Sequence, residues 1–267
     1  MPGELVFIGL GLHDEYGLSL RGQAEAESCD FLFAEFYTSV MPGLQLANLA
    51  KIIGKDVKLL TRNNVEEDAE EVILSKARAE KVGFLVPGDP MVATTHIDLR
   101  LRAHKAGITT RIIHSASVAS AAAGVTGLQS YKFGRTVTIP TSWQGEFPES
   151  VYMGIRSNFA SGLHSLILLE IDVENKKYVS IPLALKQLLS YSEGRPDNPI
   201  KPETLAIGIA RLEAPDMIVK AGKFSEIAKW DFKEPPYVLI LPGPLHFMEA
   251  EALQAFCGAP KELVSPK

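Results

Sequence analysis

Short apolar runs alternate with segments of helical periodicity over the first 114 residues, and this alternation is the first structural information the chain gives. "LVFIGL" at 5 to 10 reads as a fully buried strand, and "GLGLHDEYG" after it as a glycine-bearing loop leading to a helical pattern from Ser19 to Cys29. "DFLFAEF" (30 to 36) is a second apolar run, "GLQLANLAKIIG" (43 to 54) a helix ending at Gly54, and "KDVKLL" (55 to 60) a third strand. Glu66 to Lys81 carries its acids early and its bases late, which suits a helix dipole and predicts one helix. A strand at 84 to 86, a helix from Val92 to Lys105 and a strand "TTRIIH" (109 to 114) follow. Five strands with intervening helices predict an α/β fold with a doubly wound parallel sheet.

After His114 the pattern breaks into "SASVASAAAGVTG" (115 to 127), small residues that permit close approach of backbone or ligand. A domain boundary falls there, giving an N-terminal α/β domain over 1–114 and a C-terminal α/β domain over 115–267. The second half offers strands at 136 to 140, 164 to 171, 204 to 212, 216 to 222 and 237 to 243, and a helix at 183 to 194. The third and fourth of these strands are joined by the short "EAPD", which predicts a hairpin and therefore a mixed second sheet.

Length and composition agree with two medium domains: 267 residues, 46% of them apolar, can bury a substantial core. No run of about 18 apolar residues occurs, and no basic segment precedes the first strand, so the expectation is a soluble, untargeted protein. Cys29 and Cys257 are the two cysteines, far apart and in no CxxC pair, which fits a reducing cytoplasm and argues against a disulfide scaffold or zinc ribbon. A net charge of −5 gives no overall footprint for nucleic acid.

The chemistry is narrowed first by what is missing. Gly9 and Gly11 follow the first strand without the third glycine of a dinucleotide fingerprint, and no GxxxxGK[ST] or GxSxG occurs. The six histidines include no HExxH and no pair four apart, so no metal is expected and they read as structural or surface groups. The run Arg100, Arg102, His104, Lys105 and Arg111 reads as a solvated helix face, with contact to a charged macromolecule as the alternative. Trp143, in a loop at 141 to 148, suits a partner surface or a lid. "FLVPGDPMVATTH" (84 to 96) is the most informative stretch. Its strand halts at Pro87 and Gly88, and Asp89 before Pro90 reads either as a helix cap or as a ligand group at the carboxyl edge of the sheet.

"FIGLGL", "FAEFYTS" (33 to 39), "PGDPMVATTH" (87 to 96), "GLQSYKFG" (127 to 134) and "PPYVLILPGPLH" (235 to 246) together resemble the diphthine synthases of archaeal type. These belong to the tetrapyrrole-methylase-like enzymes that use S-adenosylmethionine (SAM). The resemblance covers essentially the whole chain. It implies two α/β domains with SAM in the cleft between them, a cytoplasmic homodimer, and N-methylation of a modified histidine on elongation factor 2 up to the trimethylated product. No nucleic acid or membrane partner is implied. The cofactor contacts it carries over fall on Leu10, Asp89, Val92, Ser117, Val118, Leu168 or Leu169, Leu212 and Tyr237. It assigns no catalytic residue and no role to Glu35 or Tyr37, although an aromatic face such as Tyr37 would suit a cationic product. The competing readings are a tetrapyrrole C-methyltransferase of the same fold and a SAM-binding protein without turnover.

Overall fold

A computed structural model describes residues 3–142, 147–173, 175–196 and 198–264, so Trp143 and half of the loop predicted at 141 to 148 lie outside the described residues. The chain divides into two compact units, Met1–Val118 and Ala119–Lys267, a few residues past the boundary expected after His114.

In the first unit, β1 (Glu4–Gly9), β2 (Phe31–Glu35), β3 (Lys58–Leu60), β4 (Lys81–Val86) and β5 (Thr109–Ile113) form a sheet of order β3-β2-β4-β1-β5. Every pairing in it is parallel. Two helices, α1 (Leu20–Glu27) and α2 (Leu46–Ile53), cover one face, where Ala26, Leu49 and Ile53 meet Val6, Ile8 and Leu10. The other face is covered by α3 (Arg62–Glu66), α4 (Ser75–Ala77) and α5 (His96–Lys105), with Val65, Ala77 and Leu99 against Leu5, Phe7 and Phe84. Alternate residues of β1 thus enter two different cores, which is why "LVFIGL" shows no polar alternation.

Two helices differ from expectation. The predicted helix over 66 to 81 is α3, a π-helical turn at Glu70–Leu74 and then α4. A capping box between Thr61 and Asn64 starts it earlier, and the π turn brings Ile73, Leu74 and Ala77 all into the core. The helix expected from Val92 begins at His96, because Ala93 holds φ 54°, a left-handed conformation no right-handed helix admits.

In the second unit, β6 (Val137–Ile139), β7 (Ser165–Leu169), β10 (Leu205–Ala210), β11 (Ile218–Lys223) and β12 (Tyr237–Leu241) form a sheet of order β11-β10-β12-β7-β6. A small ribbon of β8 (Ile171–Asp172) and β9 (Lys177–Tyr178) stands apart. Only the β6–β7 pairing is parallel, so the sheet is mixed, and "EAPD" closes the predicted hairpin between β10 and β11. The helices are α6 (Val118–Thr126), α7 (Glu149–Ala160), α8 (Ile181–Ser192), α9 (Phe224–Ile227), α10 (Phe247–Cys257) and α11 (Lys261–Val264). The small-residue stretch, expected to permit close approach and to hold the domain boundary, is largely α6, since alanine is the best helix former.

Candidate functional site

The first unit has a topological switch point. The connection from β1 to β2 and that from β4 to β5 run in opposite directions across the sheet, so right-handed crossovers send α1 and α5 to opposite faces. The crevice this leaves is at the carboxyl ends of the adjacent strands β1 and β4. The two strand ends are stitched together there. Leu10 N donates to Val86 O at 2.8 Å, and Gly11 and Gly88 exchange reciprocal bonds of 3.3 and 2.7 Å between their backbones. Both glycines are left-handed, at φ 81° and 68°. A Cβ on Gly9 would lie 2.6 Å from Gly88 O and 2.7 Å from Ser115 Cβ. The glycines that look like a partial phosphate loop therefore serve the packing of three strand ends.

Asp89 stands on this seam and is nearly buried, at 7% exposure. It does not cap α5. Its Oδ1 accepts from Met91 N at 3.0 Å, and its Oδ2 accepts from Ser115 N at 3.3 Å and meets His114 Nδ1 at 2.7 Å. The carboxylate thus ties the turn after β4 to the end of β5, which corrects the cap reading in favour of a tertiary one. Nearby, Thr94 Oγ1 is buried with no hydrogen-bond partner among the described residues.

Behind the Asp89 turn lies a second buried group. Glu35 ends β2 with no exposure, and its Oε2 accepts from Tyr37 N and Thr38 N, both at 3.0 Å. Its Oε1 accepts from Thr38 Oγ1 at 2.5 Å and lies 3.7 Å from His96 Nε2. His96, at 1% exposure, meets Pro90 O through Nδ1 at 3.3 Å and Tyr37 Oη through Nε2 at 3.5 Å. Burial pushes the Glu35 carboxyl up to about 7, against the Thr38 and Tyr37 bonds that pull it down, and pushes the His96 imidazole down to about 4. "FAEFYTS" and "PGDPMVATTH" are thus one packed cluster. Tyr37 is 5% exposed and carries the Arg62 guanidinium 5.2 Å from its ring centroid, so that ring face is not open to a cationic product.

The nine positions carried over by resemblance separate by unit. Leu10, Asp89, Val92, Ser117 and Val118 belong to the first, where they follow β1, β4 and β5 at the carboxyl edge. Val92 is 41% exposed, Ser117 is buried, and Leu10 is fully buried, so any contact from Leu10 is through its backbone. In the second unit, Leu168 and Leu169 end β7, Tyr237 opens β12 beside Ala210, and Leu212 follows β10, which brings all four to one end of the mixed sheet. Leu168 and Leu169 face opposite sides of it, with Leu169 in the large core and Leu168 half-buried. The Tyr237 hydroxyl donates to Lys233 O. Leu212 is flanked by Arg211 and Glu213 at φ 55° and 68°, just as Val92 precedes left-handed Ala93.

Other expectations resolve structurally. Arg111 pairs with Glu4 and Glu25, and Arg102 reaches Asp98 and Val65 O, while His104 and Lys105 are exposed as expected of a solvated helix face. His114, classed from sequence among structural or surface histidines, is exposed and also contacts Asp89; its place at a strand end beside the small-residue stretch is the signal for that contact. "GLQSYKFG" and "LILPGPLH" meet in a buried knot: Glu249 accepts from Gln129 N, His246 N, Lys132 Nζ and His164 Nε2. Among the described residues, no three His, Cys, Asp or Glu side chains converge as a metal site would need, and no helix is long and apolar enough to cross a membrane.

The fold and the strand-end crevice define a class. Residues 4–197 match the family model of the tetrapyrrole (corrin/porphyrin) methylases, and the chain belongs to that family. Within it the chain belongs with the diphthine synthases. It is 44% identical over 260 residues to the diphthine synthase of Methanothermobacter thermautotrophicus, covering 97% of this chain and 98% of that one. It is 43% identical over 265 residues to that of Methanosarcina mazei, with 97% and 98% covered. A diphthine synthase crystal structure superposes with a TM-score of 0.86 at 33% identity, covering 97% of this chain and 98% of that one. A conserved hypothetical protein of Aeropyrum pernix superposes at 0.87 and 28% identity, with 98% and 92% covered. The enzyme is a SAM-dependent methyltransferase of diphthamide biosynthesis.

Proposed function

We propose that the protein transfers methyl groups from SAM to the amino group of the modified histidine on elongation factor 2, up to the trimethylated product, and works as a cytoplasmic homodimer. The observation that carries this reading is similarity to diphthine synthases over 97% of the chain. When bound, SAM supplies a methyl group already activated by its sulfonium, so the chain must chiefly bind, orient and exclude water. In the first unit that work falls to the Asp89 carboxylate, the Leu10 backbone, Val92, Ser117 and Val118. In the second it falls to Leu168 or Leu169, Leu212 and Tyr237. Asp89 is the strongest of these: its carboxylate is nearly buried at the strand-end crevice and tied to His114 and Ser115 at the end of the neighbouring strand connection. The acceptor amine has an ordinary pKa near that of lysine and must lose its proton before its lone pair can attack.

Mass spectrometry of elongation factor 2 after incubation with the protein and SAM tests acceptor and count together. A gain of three methyl masses on the precursor-modified factor is expected; methylation of a tetrapyrrole precursor instead would overturn the reading. Calorimetric titration of SAM into Asp89→Ala should show affinity lowered about tenfold or more, the cost of one charge-assisted bond. Unchanged affinity in a folded variant would remove Asp89 from the site.

A further inference from the structure

Each methyl transfer to a protonated amine releases one proton. An enzyme that repeats the transfer on one nitrogen therefore needs an acceptor that takes a proton, sheds it to water and is ready again. Such a group must stand at the donor site with a fixed, open lone pair.

His114 meets these demands. It follows β5 at the carboxyl edge of the first sheet, and its Nδ1 stands 2.7 Å from Asp89 Oδ2. A carboxylate can only accept, so Nδ1 carries the proton of that bond and the neutral ring keeps its lone pair on Nε2. Among the described residues Nε2 has no hydrogen-bond partner, and the side chain is 70% exposed where that of Asp89 is 7% exposed. The frame around the ring is rigid. Asp89 also accepts from Met91 N and Ser115 N, and Ser115 Oγ donates to Gly17 O at 3.2 Å, which pins the backbone next to the imidazole. Asp89 is the one charged group within ion-pair distance of the ring among the described residues. Three donors occupy three of the roughly four lone-pair positions of a carboxylate, so Oδ1 still has one to offer a bound donor molecule.

We propose that His114 is a catalytic residue, the proton acceptor of the methyl transfer. Nε2 takes a proton from the acceptor ammonium. The freed amine then forms its N–C bond to the methyl group as the C–S bond breaks and its electron pair goes to sulfur. The imidazolium, held by Asp89, returns its proton to water through the exposed edge, which resets it for the next transfer. The inference rests on the proposed reaction; the tautomer set by Asp89 does not.

His114→Asn tests it, since an asparagine amide can donate to Asp89 as Nδ1 does but offers no basic nitrogen. On precursor-modified elongation factor 2, kcat should fall about a hundredfold or more, the usual share of a general base, while SAM affinity measured by calorimetry stays at the parent's. The remaining activity should climb about tenfold per pH unit above neutral, as amine deprotonates in solution, over a range where the parent is level. Added imidazole should restore turnover to His114→Ala. Nitrogen NMR of the ligand-free parent above neutral pH should report Nδ1 protonated and Nε2 bare. A variant with the parent's kcat, a loss that merely follows SAM affinity and is not relieved by imidazole, or the opposite tautomer overturns the proposal. A parent that binds SAM and methylates no elongation factor 2 sinks the functional reading itself, whereas an active parent with an equally active variant sinks only the role of His114.

Discussion

Gly9 is a residue whose two readings can be told apart by a single methyl group. As part of a ligand loop it would tolerate alanine with a loss in binding alone. Its surroundings demand otherwise, since the added Cβ would sit 2.6 Å from a carbonyl oxygen and 2.7 Å from Ser115 Cβ. Gly9→Ala should therefore lower stability by about 1–3 kcal/mol, the usual cost of overpacking. A urea midpoint shifted down at constant m-value is the check, and a shift of less than a few tenths of a molar would contradict it. Asp89 shows how far local signals reach at this scale. The Asp-Pro pair is a sound helix-start signal, but Ala93 turns left-handed and delays the helix, and the carboxylate spends its bonds on Ser115 and His114 instead. Neither partner is predictable from spacing, because a strand 25 residues away supplies them.

At the scale of elements, what was legible depended on whether periodicity or tertiary pairing decides the structure. The central strands of the first unit, β1, β2 and β4, are apolar on both faces and stood out at once, whereas the edge strands β3 and β5 carry Lys58, Thr109, Thr110 and Arg111. By contrast, α10 exposes Phe247, Met248 and Phe256, so its apolar positions do not trace one buried stripe. What fixes α10 is Glu249 at its third position, buried and joined to His246 N, Gln129 N, Lys132 and His164. Burial alone would raise this carboxyl, but the Lys132 ammonium and the N–H donors outweigh it and hold it down at about 2. A depressed carboxyl contributes stability above its unfolded value of 4.5, and that contribution is lost as pH falls from there toward 2. His164, held neutral by burial, adds to acid sensitivity, because the unfolded chain takes up its proton more readily. Glu249→Gln should cost about 3 kcal/mol at pH 7, as expected when one partner of a buried charged group is removed. The variant should also lose less than the parent between pH 4.5 and 2.5. Urea midpoints at the two pH values decide it; parallel losses in both proteins would show that Glu249 is not the titrating group.

At the scale of the whole molecule, fold class and family were readable because they depend on long patterns, whereas the site depends on which strand ends meet. The alternation over the first 114 residues and the "EAPD" hairpin sufficed for a parallel sheet and a mixed one. The clustering of "FAEFYTS" against "PGDPMVATTH" required the strand order, in which β2 and β4 are neighbours. That same order bears on how the chain folds. Among the described residues, two cores draw on the first unit alone, within Leu5 to Ile113, and a third draws on the second alone, within Val137 to Leu241. The ion network of Glu4, Glu25, Lys81 and Arg111 is likewise confined to the first unit. A chain with these properties pays its ordering entropy unit by unit, and about a hundred residues with a closed core suffice for independent folding. Residues 1–118 expressed alone should therefore melt cooperatively and give dispersed amide resonances, with Asp89, Glu35 and His96 in their native surroundings. A fragment that binds hydrophobic dye and melts without a transition would mean that the first unit draws its stability from residues beyond Val118.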